Sequence, residues 1–249
     1  MFASHCKSFL IGSADTDFNG CLYPAVLLSH MQDIATEHAG LQNIGRDYLI
    51  SHYHACWILA RTWYHLDAPI KSGDTIDIVT SHCGAKSLLV SRDFAIYREK
   101  VQIGSGTQIW VIADIETRKM IRPDKVENMA FAEPGSSGPQ RPIKVIPDRK
   151  EKSEVFKRKV RYSDLDVNGH MNNTKYASVI LDAFSQEEMT GEYISEVQIN
   201  YSMECCYGDA IIVNRKDEGD RRYYIDGCDG NGKRHFESVI QLSQIHANI

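Results

Sequence analysis

Asp164-Leu165-Asp166-Val167-Asn168-Gly169-His170 shares four of its seven residues with Asp15-Thr16-Asp17-Phe18-Asn19-Gly20-Cys21, which lies 149 positions earlier in the 249-residue chain. Each copy is followed by apolar residues at helical spacing. The same offset of 149 places Leu27 of the first helical pattern on Tyr176 of the second. A repeated turn motif with a helix in the same register indicates that the chain contains a duplicated structural unit.

The rest of each half has the pattern of β-strands. Ile109, Val111 and Ala113, for example, alternate with their neighbours as half-buried strand residues do. Helices are predicted from Pro24 to a stop at Gly40, over 43–52, and along the face from Tyr176 to Phe184. Strands are predicted at 7–11, 56–66, 75–82, 88–97 and 108–115 in the first half, and at 155–161, 194–203, 210–215, 222–226 and 235–245 in the second.

An apolar helix beside antiparallel strands buries its apolar face if the sheet curls around it. This arrangement is the hot-dog architecture. The sequence therefore predicts an α+β fold with two tandem helix-wrapped antiparallel sheets, a double hot dog, whose sheets join into one continuous sheet. Five of the seven prolines lie from Pro123 to Pro147, which predicts a linker at 123–152 between an N-terminal hot dog at 1–122 and a C-terminal hot dog at 153–249.

Composition excludes several classes of protein. A net charge of −5 and a pI of about 6.1 lack the dominant basic character of a nucleic-acid binder. No apolar run approaches the roughly 18 residues of a membrane span, and the first seven residues lack the order of a signal peptide. The seven cysteines are odd in number and form no C-x-x-C pair, so we expect reduced cytoplasmic thiols and no metal site.

The second copy of the turn carries the residues suited to chemistry. Asn168, Gly169 and His170 supply a hydrogen-bond donor, room for close approach and a titratable base. We expect N–H groups near 169–171, at the start of the following helix, to stabilise a developing oxyanion. The alternative is that the acids and Asn168 only cap the helix and turn the chain. For the first copy, which has Cys21 in place of His170, capping is the preferred interpretation.

A second polar cluster ends the strand that follows the helix. Strand alternation places Glu204 and Cys205 on opposite faces, with Cys205 on the apolar one, so only one of them faces His170. A carboxylate can orient an imidazole or activate water, whereas a thiol can act as a nucleophile. The sequence leaves both alternatives open.

These motifs resemble those of a known family, the plant-type acyl-acyl-carrier-protein thioesterases and their bacterial relatives, which are double hot dogs. The resemblance is carried by Arg161–Tyr176 around the Asp-x-Asn-x-His turn and by Tyr201–Cys205. In the first half it is carried by Trp57–Arg61, Pro69–Asp74, Trp110-Val111 and Thr117–Lys119.

The resemblance implies a hydrolase that cleaves fatty acyl-acyl carrier protein, without a cofactor, and releases free fatty acid in fatty acid biosynthesis. Asn168 and His170 match catalytic residues of the family, Asp166 the acid that supports them, and Glu204 a proposed catalytic acid. Cys205 matches an older proposal for a nucleophile. The first half is expected to line the acyl chain with Leu27, Met31, Ile34 and Trp57, although for each of these taken singly an ordinary core residue is the preferred interpretation.

The family also implies an acidic carrier protein as partner, which requires a basic docking site. Candidates are Arg118, Lys119 and Arg122, or the basic stretch 144–161. The missing chloroplast transit peptide predicts a bacterial, cytoplasmic member, whereas Gly169 in place of the Gln usual in the plant signature is expected to leave the chemistry intact. Whether two chains form a homodimer is left open.

Three other functions remain as alternatives. An acyl-CoA thioesterase would use the same chemistry on a different thiol. A hot-dog β-hydroxyacyl dehydratase would also use a His and an acid, and would release an enoyl product. A non-enzymatic acyl-binding protein usually adds a DNA-binding segment, for which this chain has no residues left over.

Overall fold

The computed structural model describes residues 4–129 and 143–245. The described helices are α1 (Pro24–Leu41), α2 (Arg46–Tyr53), α3 (Lys175–Leu181) and α4 (Gln186–Met189). The described strands are β1 (Ser4–Leu10), β2 (Ala55–Leu66), β3 (Thr75–Lys86), β4 (Leu89–Arg98), β5 (Val101–Asp114), β6 (Met120–Ile121), β7 (Ser153–Lys159), β8 (Glu192–Tyr201), β9 (Ala210–Gly219), β10 (Arg222–Cys228) and β11 (Arg234–Gln244).

The chain forms two compact units that do not simply follow the chain order. Among the described residues, unit 1 comprises 4–11, 29–64, 73–129 and 143, and unit 2 comprises 12–28, 65–72 and 144–245. In unit 1 the strands are ordered β1-β3-β4-β5-β2, with β6 paired to β5. In unit 2 they are ordered β7-β9-β10-β11-β8. The two orders are identical strand for strand, which confirms the predicted duplication.

Unit 1 wraps its sheet against the buried face of α1. Met31 and Ile34 of this helix are completely buried. Opposite them, a Cβ atom at Gly106 of β5 would lie 2.7 Å from the Met31 Cε and 3.0 Å from the Trp63 carbonyl oxygen. The missing side chain at Gly106 therefore lets the helix pack directly on the sheet.

Unit 2 repeats this packing with a shorter helix. Tyr176 of α3 meets Tyr201 of β8 and Phe236 of β11 edge to face, with ring centroids 5.4 and 5.5 Å apart. Such aromatic contacts add to the free energy gained by burying the rings. Helix against curled antiparallel sheet in each unit confirms the predicted hot-dog architecture.

Two helix ends differ from the prediction. Helix α3 ends at Leu181 and does not continue through Phe184, because Ser185 begins a new helix and its hydroxyl accepts a hydrogen bond from the Glu188 N–H at 3.2 Å. Phe184 nevertheless packs against Tyr223, with ring centroids 5.0 Å apart. Helix α1 passes through Gly40 and ends at Leu41.

Both described flanks of the predicted linker pack into a hydrophobic core, and residues 130–142 lie outside the described residues. Val126 and Met129 are buried in a cluster of unit 1 that includes Leu49. Ile146 is buried with Tyr224 in unit 2. The domain boundaries at 122 and 153 stay predictions. None of the described helices is long and apolar enough to cross a membrane.

Gly227 of β10 provides a test of the core packing in unit 2. A Cβ atom there would collide with the ring of Phe236 and would lie 2.8 Å from the Ile211 Cγ2. We expect Gly227→Ala to lower the free energy of unfolding by about 1–3 kcal/mol, because overpacking strains a dense core. Urea unfolding measures the loss. Gly230→Ala is the control, since a Cβ atom there meets nothing within 4 Å, and equal effects of the two changes would contradict the prediction.

Candidate functional site

The turn that carries His170 is closed by a carboxylate. The Asp166 Oδ1 accepts hydrogen bonds from the backbone N–H groups of Asn168, at 2.8 Å, and of His170, at 3.3 Å. The Asp166 N–H donates to the His170 carbonyl oxygen at 2.8 Å. Gly169 between them has a φ of +78°, which favours glycine. Asp166 and Gly169 thus set the shape of the loop.

The first copy of the motif builds the same turn without the histidine. The Asp17 Oδ1 accepts from the N–H groups of Asn19 and Cys21, both at 2.9 Å, and Gly20 has a φ of +72°. The acids and glycines of both copies therefore follow the capping interpretation, since they form the turn whether or not a titratable side chain follows. The acids and glycines alone therefore give no evidence of chemistry at either turn.

His170 and Glu204 are brought together at the protein surface. The distance from the His170 Nε2 to the Glu204 Oε2 is 3.5 Å. Both side chains are accessible to solvent, Glu204 more than His170. β8 ends at Tyr201, so Glu204 lies in the loop beyond it, and a backbone bridge between His170 and Cys206 holds this loop against the turn. The acid, and not Cys205, faces the imidazole.

Cys205 is buried behind this pair. Its carbonyl oxygen accepts a hydrogen bond from the Met171 N–H at 2.8 Å, and a side-chain hydrogen bond joins its thiol to the Tyr176 hydroxyl. Burial raises the pKa of the Cys205 thiol to about 11, so the group is protonated at neutral pH. A buried, protonated thiol lacks the properties of an activated nucleophile.

The first copy indicates why a cysteine occupies this position. There, the carbonyl oxygen of the buried Ile70 accepts a hydrogen bond from the Leu22 N–H at 2.8 Å, as Cys205 does from Met171. Cys205 is therefore the counterpart of an aliphatic core residue and fits the role of a small buried hydrophobe.

The first turn lacks both members of the polar pair. Cys21 stands at the position of His170, and Pro69, which precedes Ile70, stands at that of Glu204. Cys21 is buried, and burial raises its pKa to about 11. The first turn therefore has neither the imidazole nor the carboxylate of the His170–Glu204 pair.

The two asparagines also have different surroundings. The Asn19 Nδ2 donates to the carbonyl oxygens of Met189, at 2.7 Å, and Glu192, at 3.1 Å, while its Oδ1 accepts from the Gly191 N–H at 3.2 Å. Asn19 thus joins the first turn to the α4–β8 connection within unit 2. Asn168 is exposed, and its Nδ2 lies 3.5 Å from the Asp166 Oδ2.

The structure contradicts the predicted oxyanion donors. The Gly169 N–H donates to the Asp166 carbonyl oxygen at 3.1 Å, and the Met171 N–H is bound to Cys205. The His170 N–H is bound to the Asp166 carboxylate. Helix α3 begins only at Lys175, so these groups are not the unpaired donors of a helix N-terminus.

The predicted acyl-binding residues lie in the interior. Leu27, Met31 and Ile34 are buried, which fits a core residue and a lining residue equally. Trp57 is partly buried, and its Nε1 donates to the Ile44 carbonyl oxygen at 2.8 Å. Their predicted role in binding stays a prediction.

A buried polar group in unit 1 was missed from the sequence. The Arg92 Nη1 lies 2.8 Å from the His38 Nδ1 and donates to the Thr80 hydroxyl at 3.3 Å, between α1 and strands β3 and β4. Burial lowers the pKa of Arg92 to about 10 and that of the neighbouring His82 to about 4. The alternation Val90, Arg92, Phe94 in β4 was the available signal, since it places a cation on an apolar face.

The basic candidates divide into paired and unpaired groups. Within 144–161, ion pairs with carboxylates join Arg149 to Glu218, Lys152 to Asp148 and Asp226, Lys157 to Glu154, and Arg158 to Asp164. Arg122 pairs with Asp124 at 2.7 Å. Lys159 and Arg161 are exposed and make no ion pair with the described residues. Residues 4–129 and 143–245 contain no cluster of three His, Cys, Asp or Glu side chains suited to a metal ion.

Alkylation tests the protonated state of Cys205. With a pKa of about 11, roughly a thousandth of the thiol is ionised at pH 8. We expect iodoacetamide to modify the exposed Cys206 first, and labelling of Cys205 to rise with pH, because the thiolate is the reactive form. Fragment-ion mass spectrometry distinguishes the two sites. Equal labelling rates in the folded protein would contradict the assignment, and the unfolded protein is the control.

Substitution of the two asparagines tests their different structural roles. We expect Asn19→Ala to lower the free energy of unfolding by about 1–3 kcal/mol, because three backbone groups of the α4–β8 connection lose their partner. The matched change Asn168→Ala removes an exposed side chain and should leave the unfolding midpoint within error. Thermal unfolding compares the two variants. A larger loss of stability for Asn168→Ala than for Asn19→Ala would contradict the assignment of a structural role to Asn19 alone.

Comparison with known proteins identifies the family. A family model described as the acyl-ACP thioesterase N-terminal domain matches residues 3–128, and one described as the C-terminal domain matches residues 147–241. Oleoyl-acyl carrier protein thioesterase 1, chloroplastic, of Arabidopsis thaliana is 23% identical, over 96% of this chain and 72% of its own length. The palmitoyl-acyl carrier protein thioesterase of Cuphea hookeriana is 27% identical over 72% of this chain.

Solved structures share the fold over nearly the full length. The 12:0-ACP thioesterase from Umbellularia californica superimposes with a TM-score of 0.86 at 20% identity, over 98% of each chain. An acyl-ACP thioesterase from Bacteroides thetaiotaomicron gives a TM-score of 0.84 at 23% identity, over 97% of this chain and 98% of its own. Since one family model alone matches more than half of the residues and a second matches most of the remainder, the chain belongs to the acyl-ACP thioesterases, a family of thioester hydrolases.

Proposed function

We propose that this chain hydrolyses the thioester that joins a fatty acyl group to acyl carrier protein, releasing a free fatty acid in fatty acid biosynthesis. The observation that carries the proposal is the His170–Glu204 contact of 3.5 Å at a solvent-accessible turn. The structurally equivalent turn of the first copy lacks both residues. The oleoyl- and palmitoyl-acyl carrier protein thioesterases to which the chain is similar support the choice of substrate.

In the proposed mechanism, water attacks the carbonyl carbon of the thioester. Glu204 and His170 together act as the general base, so the proton of the attacking water passes to this pair as the new C–O bond forms. The tetrahedral intermediate then collapses, the C–S bond breaks, and the same proton returns to the departing sulfur. The products are the fatty acid and the free thiol of the carrier protein.

Asn168 is the proposed donor to the carbonyl oxygen. The N–H groups of Gly169, His170 and Met171 are already bound to protein acceptors, whereas the Asn168 amide is exposed beside His170. A side-chain amide aimed at a developing oxyanion stabilises the transition state. Asp166 acts indirectly, by holding Asn168 and His170 in one turn.

We propose that Cys205 takes no part in bond making. Its burial, its raised pKa and its correspondence to Ile70 support a packing role. The acyl-CoA thioesterase and the dehydratase remain alternatives that a product assay separates. Release of free acid and thiol supports hydrolysis, and formation of an enoyl thioester indicates a dehydratase. Binding without turnover indicates an acyl-binding protein.

A bacterial and cytoplasmic origin is also proposed. The cysteines of the described residues form no disulfide bond with one another, which supports a reducing compartment. The plant relatives are chloroplastic.

Four variants test the mechanism. We expect His170→Ala, Glu204→Gln and Asn168→Ala each to lower kcat by about 10²- to 10⁴-fold, because each removes a group that acts in the transition state. Cys205→Ala is the control and should keep most of the wild-type kcat. The assay follows free thiol and fatty acid released from acyl-acyl carrier protein over several chain lengths.

The opposite pattern would overturn the mechanism. Full activity of His170→Ala would exclude the proposed base. Loss of activity in a folded Cys205→Ala enzyme, with burst release of thiol in the wild type, would restore the nucleophilic alternative.

A further inference from the structure

Around the His170 turn, several apolar side chains are exposed to solvent to an unusual extent. Among the large hydrophobic side chains of the described residues, Val167 and Tyr162 are the most exposed, at 86% and 85%. Tyr207 is 62% exposed. Exposed aromatic side chains close to one another are typical of sites that bind another protein.

Backbone hydrogen bonds place these side chains on neighbouring segments of unit 2. The Val160 N–H donates to the Asp209 carbonyl oxygen at 2.9 Å, and the Gly208 N–H donates to the Val160 carbonyl oxygen at 3.0 Å. The segment that carries Tyr162 therefore runs beside the one that carries Tyr207. The turn that carries Val167 adjoins the second segment through the bridge between residues 170 and 206.

Two unpaired cations accompany the apolar side chains. Lys159 and Arg161 are exposed and form no ion pair with the described residues, although Lys157 and Arg158 beside them are paired with Glu154 and Asp164. The nearby carboxylates are already engaged in the local structure. The Asp166 carboxylate accepts a hydrogen bond from the Asn168 N–H within the turn, and the Asp209 Oδ2 accepts one from the Cys206 N–H at 2.7 Å.

The first copy lacks this combination of side chains. At the offset of 149, Leu10, Gly12 and Ser13 correspond to Lys159, Arg161 and Tyr162, and Phe18 corresponds to Val167. The hydrogen bonds of the two loops align Ser72 with Tyr207. The first copy thus keeps two exposed apolar residues, Leu10 and Phe18, but has neither the two cations nor the two tyrosines. The cations and the tyrosines are therefore found only beside the turn that carries His170, where the proposed chemistry takes place.

We propose that Lys159, Arg161, Tyr162, Val167 and Tyr207, the docking patch, bind the acidic carrier protein that presents the acyl chain. This proposal rests on the proposed function. Cations on a chain of net charge −5 attract an acidic partner to this one region and speed its encounter. The tyrosines supply rigid apolar contacts around the point where the thioester enters.

Charge reversal tests the electrostatic part of the docking patch. Lys159→Glu/Arg161→Glu should lower kcat/KM for acyl-acyl carrier protein at least about tenfold and weaken its dependence on salt. The control Lys86→Glu/Lys125→Glu makes the same change in net charge at exposed positions of unit 1 and should change kcat/KM less than about threefold. An acyl N-acetylcysteamine thioester, which has no protein and no phosphate, should be cleaved equally by all three enzymes.

A second pair of variants tests the tyrosines by replacing each with serine, the residue at the equivalent position of the first copy. Tyr162→Ser and Tyr207→Ser should raise KM for acyl-acyl carrier protein several-fold and leave kcat unchanged. Urea unfolding confirms that the variants are folded, and light scattering reports their oligomeric state.

The outcomes separate this proposal from the proposed function. If the wild type cleaves both substrates and the charge-reversed docking patch leaves kcat/KM unaltered, or the control pair lowers it instead, the docking patch is wrong while the hydrolase stands. If the tyrosine variants dissociate a dimer without raising KM, the surface is a self-interface and the proposal fails. If the wild type cleaves neither thioester, the proposed function itself fails, and the docking proposal with it.

Discussion

One carboxylate that accepts two backbone N–H groups is the interaction on which the site depends. In each copy it closes a turn so tight that a glycine with positive φ follows, at Gly20 or Gly169. The turn directs the chain from an edge strand into a helix and brings the residue after the glycine against a distant loop. Whatever side chain stands there, Cys21 or His170, is presented at the same place. The motif therefore specifies a position, and the residue that occupies the position specifies the chemistry.

The duplication, the strands and the turn were predictable because their signals are local. Period-two alternation and an offset of 149 residues need no knowledge of long-range contacts. The choice between Glu204 and Cys205 was not predictable in this way. β8 ends at Tyr201, and beyond a strand end alternation no longer determines where a side chain points. The hydrogen bond between Met171 and Cys205 sets that direction, and it joins residues 34 positions apart.

The predicted oxyanion donors failed for a related reason. A helical pattern in the sequence places the helix start only approximately. The apolar positions after Tyr176 did not indicate that the N–H groups of residues 169–171 donate hydrogen bonds to the turn and to the neighbouring loop. In unit 1 the opposite happened. The sequence shows that Arg92 lies on an apolar strand face. Its partner His38 comes from a helix 54 positions away, so the sequence pattern did not identify the group that Arg92 contacts.

The asymmetry between the copies is also held in place by Asn19. Its amide is committed to three backbone groups of the α4–β8 connection, so a histidine at Cys21 and an acid at Pro69 would still face a turn whose asparagine is occupied. A second active turn would require that structural bond to be given up first, at a cost in stability before any gain in activity. The turn without the histidine therefore serves as part of the scaffold of unit 2, the same unit that carries the His170 turn.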